Sequence, residues 1–279
     1  MMAAISDSVL IEVCVDSVQS AVAAVQGGAD RLEICGNLGL GGGTTPSIGL
    51  FRSIQRAVPN ASLMVMIRPR VGDFFYSKED VGVMLEDIRM FKNFGHVRGF
   101  VVGALTKDGR VDVERMRLFV DEILPLEVCF HRAFDMTRDP LQALSDIIDI
   151  GGVARILTSG HQPKAPDGVN TLEKLFARRK EIVGDAVWGL TIMPGSGINE
   201  NTLPVLMSQL LPLGLREVHL SGGKWIPGDM SFKRAGMAMG VDQETEWKIW
   251  RTQKDEIRKV REVARNMWLQ YSSSKSPVT

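Results

Sequence analysis

Four short segments of the chain carry the same kind of reactive pair: Glu12-Val13-Cys14, Glu33-Ile34-Cys35, Glu127-Val128-Cys129 and Glu217-Val218-His219. In each, a carboxylate stands two positions before a thiol or an imidazole, with a β-branched residue between them. In an extended strand that spacing sends the two polar groups to one face and the branched residue to the other. Thiols and imidazoles are candidate ligating groups, though a strand cysteine is more often a small core residue. A positioned imidazole or carboxylate moves protons. Met66-Ile67-Arg68-Pro69-Arg70 adds two guanidiniums, the group best shaped to hold a carboxylate or phosphate.

The surrounding residues fix which face is which. Val9, Ile11, Val13 and Val15 form one apolar set, and Leu32 with Ile34, Leu63 with Val65 and Ile67, Leu126 with Val128 and Phe130, and Val218 with Leu220 repeat it. These sets must pack against helices. Glu12, Cys14, Asp16, Glu33, Cys35, Met64, Met66, Arg68, Glu127, Cys129, His131, Glu217, His219 and Ser221 then share the opposite face. Buried carboxylates need partners; internal ion pairs with Arg68 are the plainest use of them, and a ligand site is the other.

Apolar strands and amphipathic helices alternate along the whole chain. Strands are expected to begin near Val9, Arg31, Leu63, Gly99, Leu126, Arg155, Val187 and Arg216. Ser17, the Ser77-Lys78-Glu79-Asp80 run and Asp139-Pro140 are helix-start signals. Gly28-x-x-Arg31, Gly95-x-x-Arg98, Gly152-x-x-Arg155 and Gly214-x-Arg216 precede the even-numbered strands at intervals of 67, 57 and 62 residues, two strand–helix units each. A repeated two-unit module predicts an α/β fold of one (β/α)₈ barrel spanning 8–271, with 272–279 as a flexible tail. An open doubly wound sheet shares the alternation and is the second choice.

In such barrels the functional groups gather where the strands end. His131, Asp135 and His219 are the candidate catalytic residues there. Arg68, Arg70, Thr158, Ser159, Gly195, Gly197, Ser221 and Gly222 are the candidate ligand-binding residues. The glycines after the seventh and eighth strands, with a helix starting at Asn199, suit an anion held by backbone N–H groups.

Composition narrows the classes of function. Lys+Arg and Asp+Glu both number 33, which argues against duplex nucleic acid as partner. No apolar run is long enough to span a membrane. Three cysteines without a CxxC pair do not form a disulfide framework, which points to a reducing, cytoplasmic location.

The chain resembles the CutC family of copper homeostasis proteins. The likeness is carried by Glu12-Val13-Cys14-Val15-Asp16-Ser17, Gly27-Gly28-Ala29-Asp30-Arg31-Leu32-Glu33-Ile34-Cys35 and Gly42-Gly43-Thr44-Thr45-Pro46-Ser47. It continues through Met66-Ile67-Arg68-Pro69-Arg70, Phe130-His131-Arg132-Ala133-Phe134-Asp135, Leu157-Thr158-Ser159-Gly160 and Met193-Pro194-Gly195-Ser196-Gly197-Ile198, and ends near Ala238-Met239-Gly240. The resemblance implies a TIM barrel, homo-oligomeric and cytoplasmic, that binds Cu(I) through Cys14 and Cys35. Cys129 falls where the family has no expected cysteine, and Ser196 replaces the usual middle glycine of its segment. The residues themselves leave a second function open, an enzyme acting on a small anionic or phosphorylated substrate at the barrel mouth.

Overall fold

The computed structural model of the protein describes residues 8–40, 42–184, 189–234, 236, 237, 240 and 242–275. Each apolar strand is followed by a helix that covers it: β1 (Leu10–Val15), α1 (Val18–Gly27), β2 (Arg31–Ile34), α2 (Ile48–Ala57), β3 (Ser62–Met66), α3 (Lys78–Phe94), β4 (Gly99–Val102) and α4 (Val113–Ile123). The pattern continues with β5 (Glu127–Phe130), α5 (Pro140–Ile150), β6 (Val153–Thr158), α6 (Val169–Val183), β7 (Thr191–Pro194), α7 (Leu203–Leu210) and β8 (Glu217–Leu220). The chain then adds a hairpin of β9 (Gly223–Pro227) and β10 (Lys248–Thr252) before α8 (Lys254–Lys275). Local chemistry sets the helix starts. Ser17 accepts the Ser20 N–H, Ser77 and Asp80 form a reciprocal capping box, and Asp139 caps a helix with Pro140 in its first turn.

β1 to β8 form one parallel sheet in the order β7-β6-β5-β4-β3-β2-β1-β8. A single parallel bridge between Gly195 and His219 joins its two ends and closes the barrel. The strands begin within two residues of the expected positions, except the seventh. Val187 lies outside the described residues, and the strand that is described there runs Thr191–Pro194. Asn199 does not start a helix; its side chain accepts the Asn201 and Thr202 N–H groups in a turn, and α7 begins at Leu203. The tail expected at 272–279 is helical as far as Lys275, and 276–279 lie outside the described residues.

Strand parity separates the interior as the apolar pattern requires. Val9, Ile11, Val13, Val15, Leu32 and Ile34 join the helices in the outer core. Cys14, Cys35, Met64, Met66, Val101, Cys129, Leu157 and Met193 pack together inside the barrel.

Below that layer runs a chain of alternating charges. Arg31 contacts Glu12 and lies 2.5 Å from Glu217; Arg155 lies 2.9 Å from Glu217 and contacts Glu127, which also contacts Arg98. The expected partner, Arg68, is not part of this chain. The partners are repeat-module arginines. Arg31 lies two residues from Glu33 on the same strand, so its parity places it inside. Removing one member of a buried ion network typically costs about 3–5 kcal/mol, because its partner keeps the desolvation cost without the attraction. Arg31→Leu, which leaves Glu12 without its guanidinium, is expected to lower unfolding stability by that order in urea titration.

Candidate functional site

Register brings the mouth together. Glu12 and His219 are direct partners across β1 and β8, and Cys14 and Glu33 are partners across β1 and β2. All four side chains point inward and meet. Glu12 Oε1 lies 2.8 Å from His219 Nδ1, and His219 Nε2 lies 3.7 Å from Glu33 Oε2. The Cys14 sulfur, a Glu33 oxygen and a His219 nitrogen all fall within 4.8 Å of one another. Above them opens a cavity of about 630 Å³, lined by Cys14, Glu33, Met66, Arg68, Phe74, His131, Leu157 and His219 together with the Ser196–Asn199 and Ser221–Lys224 loops.

The electrostatics follow from burial and pairing. Glu12 is fully buried, yet the Arg31 guanidinium and His219 hold its carboxyl well below the usual range. Burial opposes a charge on His219, but Cys14, Glu12 and Glu33 outweigh it and raise its pKa well above 6.5. Burial, with Glu12 nearby, pushes Glu33 up to about 7 against the pull of His219. Burial also raises the thiols of Cys14 and Cys35, the latter strongly.

His131 is built differently. It lies one residue beyond β5, over Gly103, where an added Cβ would stand 2.6 Å from the ring. Its Nδ1 accepts the Ala133 N–H at 3.2 Å, so the ring proton belongs on Nε2. That Nε2 is buried with no hydrogen-bond partner among the described residues, which costs about 1–3 kcal/mol in a folded protein. Burial and the nearby Arg68 drop its pKa to about 3, so the imidazole is neutral at physiological pH. Arg68 itself donates to the carbonyls of Gly43 and Gly72, both at 3.0 Å, and lies over the Phe74 ring.

The other expected residues separate into those that line the cavity and those that do not. Asp135, Gly197, Ser221 and Gly222 line it. Gly195 packs against Leu157 and His219 instead. Ser196 adopts φ 75°, the left-handed backbone that favours glycine, and its hydroxyl donates to the Pro163 carbonyl. Asp135 is not the orienting partner of His131. It accepts from Thr158 Oγ1 at 2.5 Å, from the Ser159 amide and hydroxyl, from the His161 amide and from Arg132. Thr158 and Ser159 are thereby committed to a structural corner. Arg70 serves a loop, reaching Asp73 at 3.0 Å and Asp80 at 3.3 Å.

Cys35 packs in the same buried interior cluster as Cys14. It lies two residues beyond Glu33, the register partner of Cys14, and is sealed under Gly43, whose added Cβ would lie 3.1 Å from the sulfur. Its thiol faces Glu33 at 3.5 Å, and it is not a member of the Cys14–Glu33–His219 group. Cys129 is buried in the same interior cluster. Sequence parity could have found the Glu12–His219 contact only with the register, which no single strand reveals. No sequence signal marked the tautomer of His131.

The CutC family model matches residues 9–224. The chain belongs to the CutC family. It is 39% identical over 259 residues to the human copper homeostasis protein cutC homolog, covering 92% of this chain and 90% of that one. It is 40% identical over 245 residues to a CutC family protein of Salmonella enteritidis, covering 88% and 92%. The solved structure of the Streptococcus agalactiae CutC superposes with a TM-score of 0.67 at 25% identity, covering 76% of this chain and 98% of that one. A rubisco-like protein of Rhodopseudomonas palustris, 12% identical with a TM-score of 0.56 over 94% of this chain and 65% of that one, shares the fold. Among the described residues, no helix is long and apolar enough to cross a membrane.

The low pKa of His131 has a consequence for stability. Between its folded value of about 3 and its ordinary 6.5, the unfolded chain binds the proton and the native CutC barrel does not. The stability contribution is therefore complete above pH 6.5 and falls as pH drops toward 3, by at most about 1.4 kcal/mol per unit. His131→Gln is expected to flatten that slope in urea titrations at pH 7 and 5, and the His131 ring signals should not titrate between pH 8 and 4.5 in NMR.

Proposed function

We propose that the protein is an enzyme that binds a small anionic molecule at the barrel mouth and acts on it by proton transfer. The observation that carries this reading is one cavity lined by Glu33, Arg68, His131 and His219, the last oriented from below by the buried Glu12. A volume of about 630 Å³ suits a small molecule. Arg68, fixed by two carbonyls, supplies the positive charge for a carboxylate or phosphate. Its guanidinium would repel Cu(I), whereas an anionic substrate needs it. Ser196–Asn199 and Ser221–Lys224 form the opposite rim. Glu12 holds His219 by Nδ1, which leaves Nε2 toward the cavity side occupied by Glu33. Imidazole and carboxylate thus sit within proton-transfer reach of one bound molecule.

A second reading has its own observation. The Cys14–Glu33–His219 group offers one thiol, one imidazole and one carboxylate within 4.8 Å, and a thiolate with an imidazole can take Cu(I). The names of the relatives speak of copper homeostasis. In this reading Cu(I) is cargo, held by Cys14 and His219, with Cys35 from the same buried cluster as a further thiol donor. Both readings carry with them a cytoplasmic, reducing location, which keeps the three cysteines as thiols, and homo-oligomeric assembly.

Two titrations separate the readings. Inorganic phosphate or oxalate should bind the metal-free protein, and Arg68→Met should weaken that binding at least about tenfold, roughly 1.4 kcal/mol. Cu(I), offered in competition with a chromogenic chelator, should bind stoichiometrically only if the cargo reading holds, and Cys14→Ser should then remove it while Cys129→Ser changes little. Anion binding without chelator-competitive Cu(I) uptake supports the enzyme; the reverse result replaces it.

A further inference from the structure

Among the described residues, His131 at Nε2 and Glu33 at Oε1 each have a buried polar atom without a hydrogen-bond partner, and both residues line the cavity. They belong to different parts of the mouth, just past β5 and on β2, with β3 and β4 between them. Neither is a leftover of poor packing. Glu33 is pinned through Oε2, which the Cys35 thiol approaches at 3.5 Å and His219 at 3.7 Å. His131 is pinned through Nδ1 and by its ring contact with Phe74 at 5.0 Å. Both side chains line the one cavity, Glu33 with an acceptor oxygen and His131 with an N–H left for a further partner.

We propose that the occupant is a small carbonyl compound bearing a carboxylate or phosphate, and that Glu33 removes a proton from the carbon beside the carbonyl while His131 Nε2–H donates to the carbonyl oxygen. This names the substrate class of the enzyme reading above and rests on it. A full negative charge already present on the substrate falls to Arg68. A neutral N–H donor adds little to that anchoring; its use is an oxygen that gains charge during the reaction. His131 remains neutral because it is buried beside Arg68, so it donates a hydrogen bond without surrendering a proton. The step balances without any further reactant. The C–H bond breaks and its proton passes to Glu33 Oε1. The C–H electron pair becomes a carbon–carbon double bond, and the carbonyl π pair moves onto oxygen, giving an enolate held by His131. Returning the proton from Glu33 to carbon restores the carbonyl compound, and no electrons enter or leave.

The test is proton exchange in D₂O, read by ¹H NMR, with pyruvate and dihydroxyacetone phosphate as the two probes. At least one probe should lose C–H signal faster than in buffer alone, and the one that does tells a carboxylate from a phosphate anchor. His131→Phe, which keeps a ring but removes the donor, should slow exchange by about 10²–10³-fold in rate constant with a smaller effect on half-saturation. His131→Gln restores a side-chain N–H and should recover part of the rate, and Glu33→Gln should abolish it. Oxalate, a planar dianion shaped like the enolate of a 2-oxo acid, should bind the wild type and bind His131→Phe at least about tenfold more weakly. Exchange no faster than buffer with both probes, or exchange untouched by His131→Phe, overturns the inference. If oxalate still binds through Arg68 in that case, the anion-binding reading stands alone. If neither oxalate nor phosphate binds the wild type, both fall.

Discussion

The Glu12 carboxylate is fully buried between Arg31 and His219, and the mouth of the barrel is organised around it. An isolated carboxylate at that depth would take up a proton. This one stays ionised because a guanidinium stands below it and an imidazole beside it. Glu12 in turn fixes Nδ1 of His219 and so decides which nitrogen faces the cavity. The alternating charges beneath, Arg31, Glu217, Arg155, Glu127 and Arg98, tie strands from both halves of the barrel to the same point. His219, set between Glu12 and Glu33, adds its positive charge to this network when it carries its proton.

The surrounding charges push the two histidines of the mouth in opposite directions. His219 sits among carboxylates and a thiol and gains proton affinity; His131 sits beside Arg68 over apolar side chains and loses it. Environments that drive like groups apart are the usual means by which one site holds both a charged and a neutral form of the same side chain. The same environment weighs on the cysteines. Burial disfavours the thiolate of Cys35 more than position 14, where His219 compensates, and Gly43 packs directly against the Cys35 sulfur.

Much of this was legible in the residues. The alternation Val9, Ile11, Val13, Val15 against Glu12, Cys14, Asp16 assigned the inner face correctly, because a half-polar strand has only one way to bury its apolar set. Arg31 shares that inner parity, yet in sequence it stands out only as a marker of the repeat. Its ionic role depends on β8 lying next to β1, a closure that no local pattern states. The same holds for Glu12 with His219. His131 and Asp135, four residues apart, admit either a dyad or an ion-paired corner with Arg132; the corner forms, with Asp135 held by Arg132 and Ser159 and His131 turned to the Ala133 amide. Hydroxyls at Thr158 and Ser159 look available in sequence and are consumed locally, as short polar side chains near turns commonly are.

The central claim is that the polar mouth of this CutC barrel holds a small anionic molecule between Arg68, His131 and Glu33. The most direct measurement is a crystal structure of the reduced protein grown with oxalate. The account predicts oxalate in the cavity, one oxygen about 3 Å from His131 Nε2, with a carboxylate on Arg68. A mouth without oxalate, with copper bound between Cys14 and His219 when Cu(I) is supplied, would contradict it.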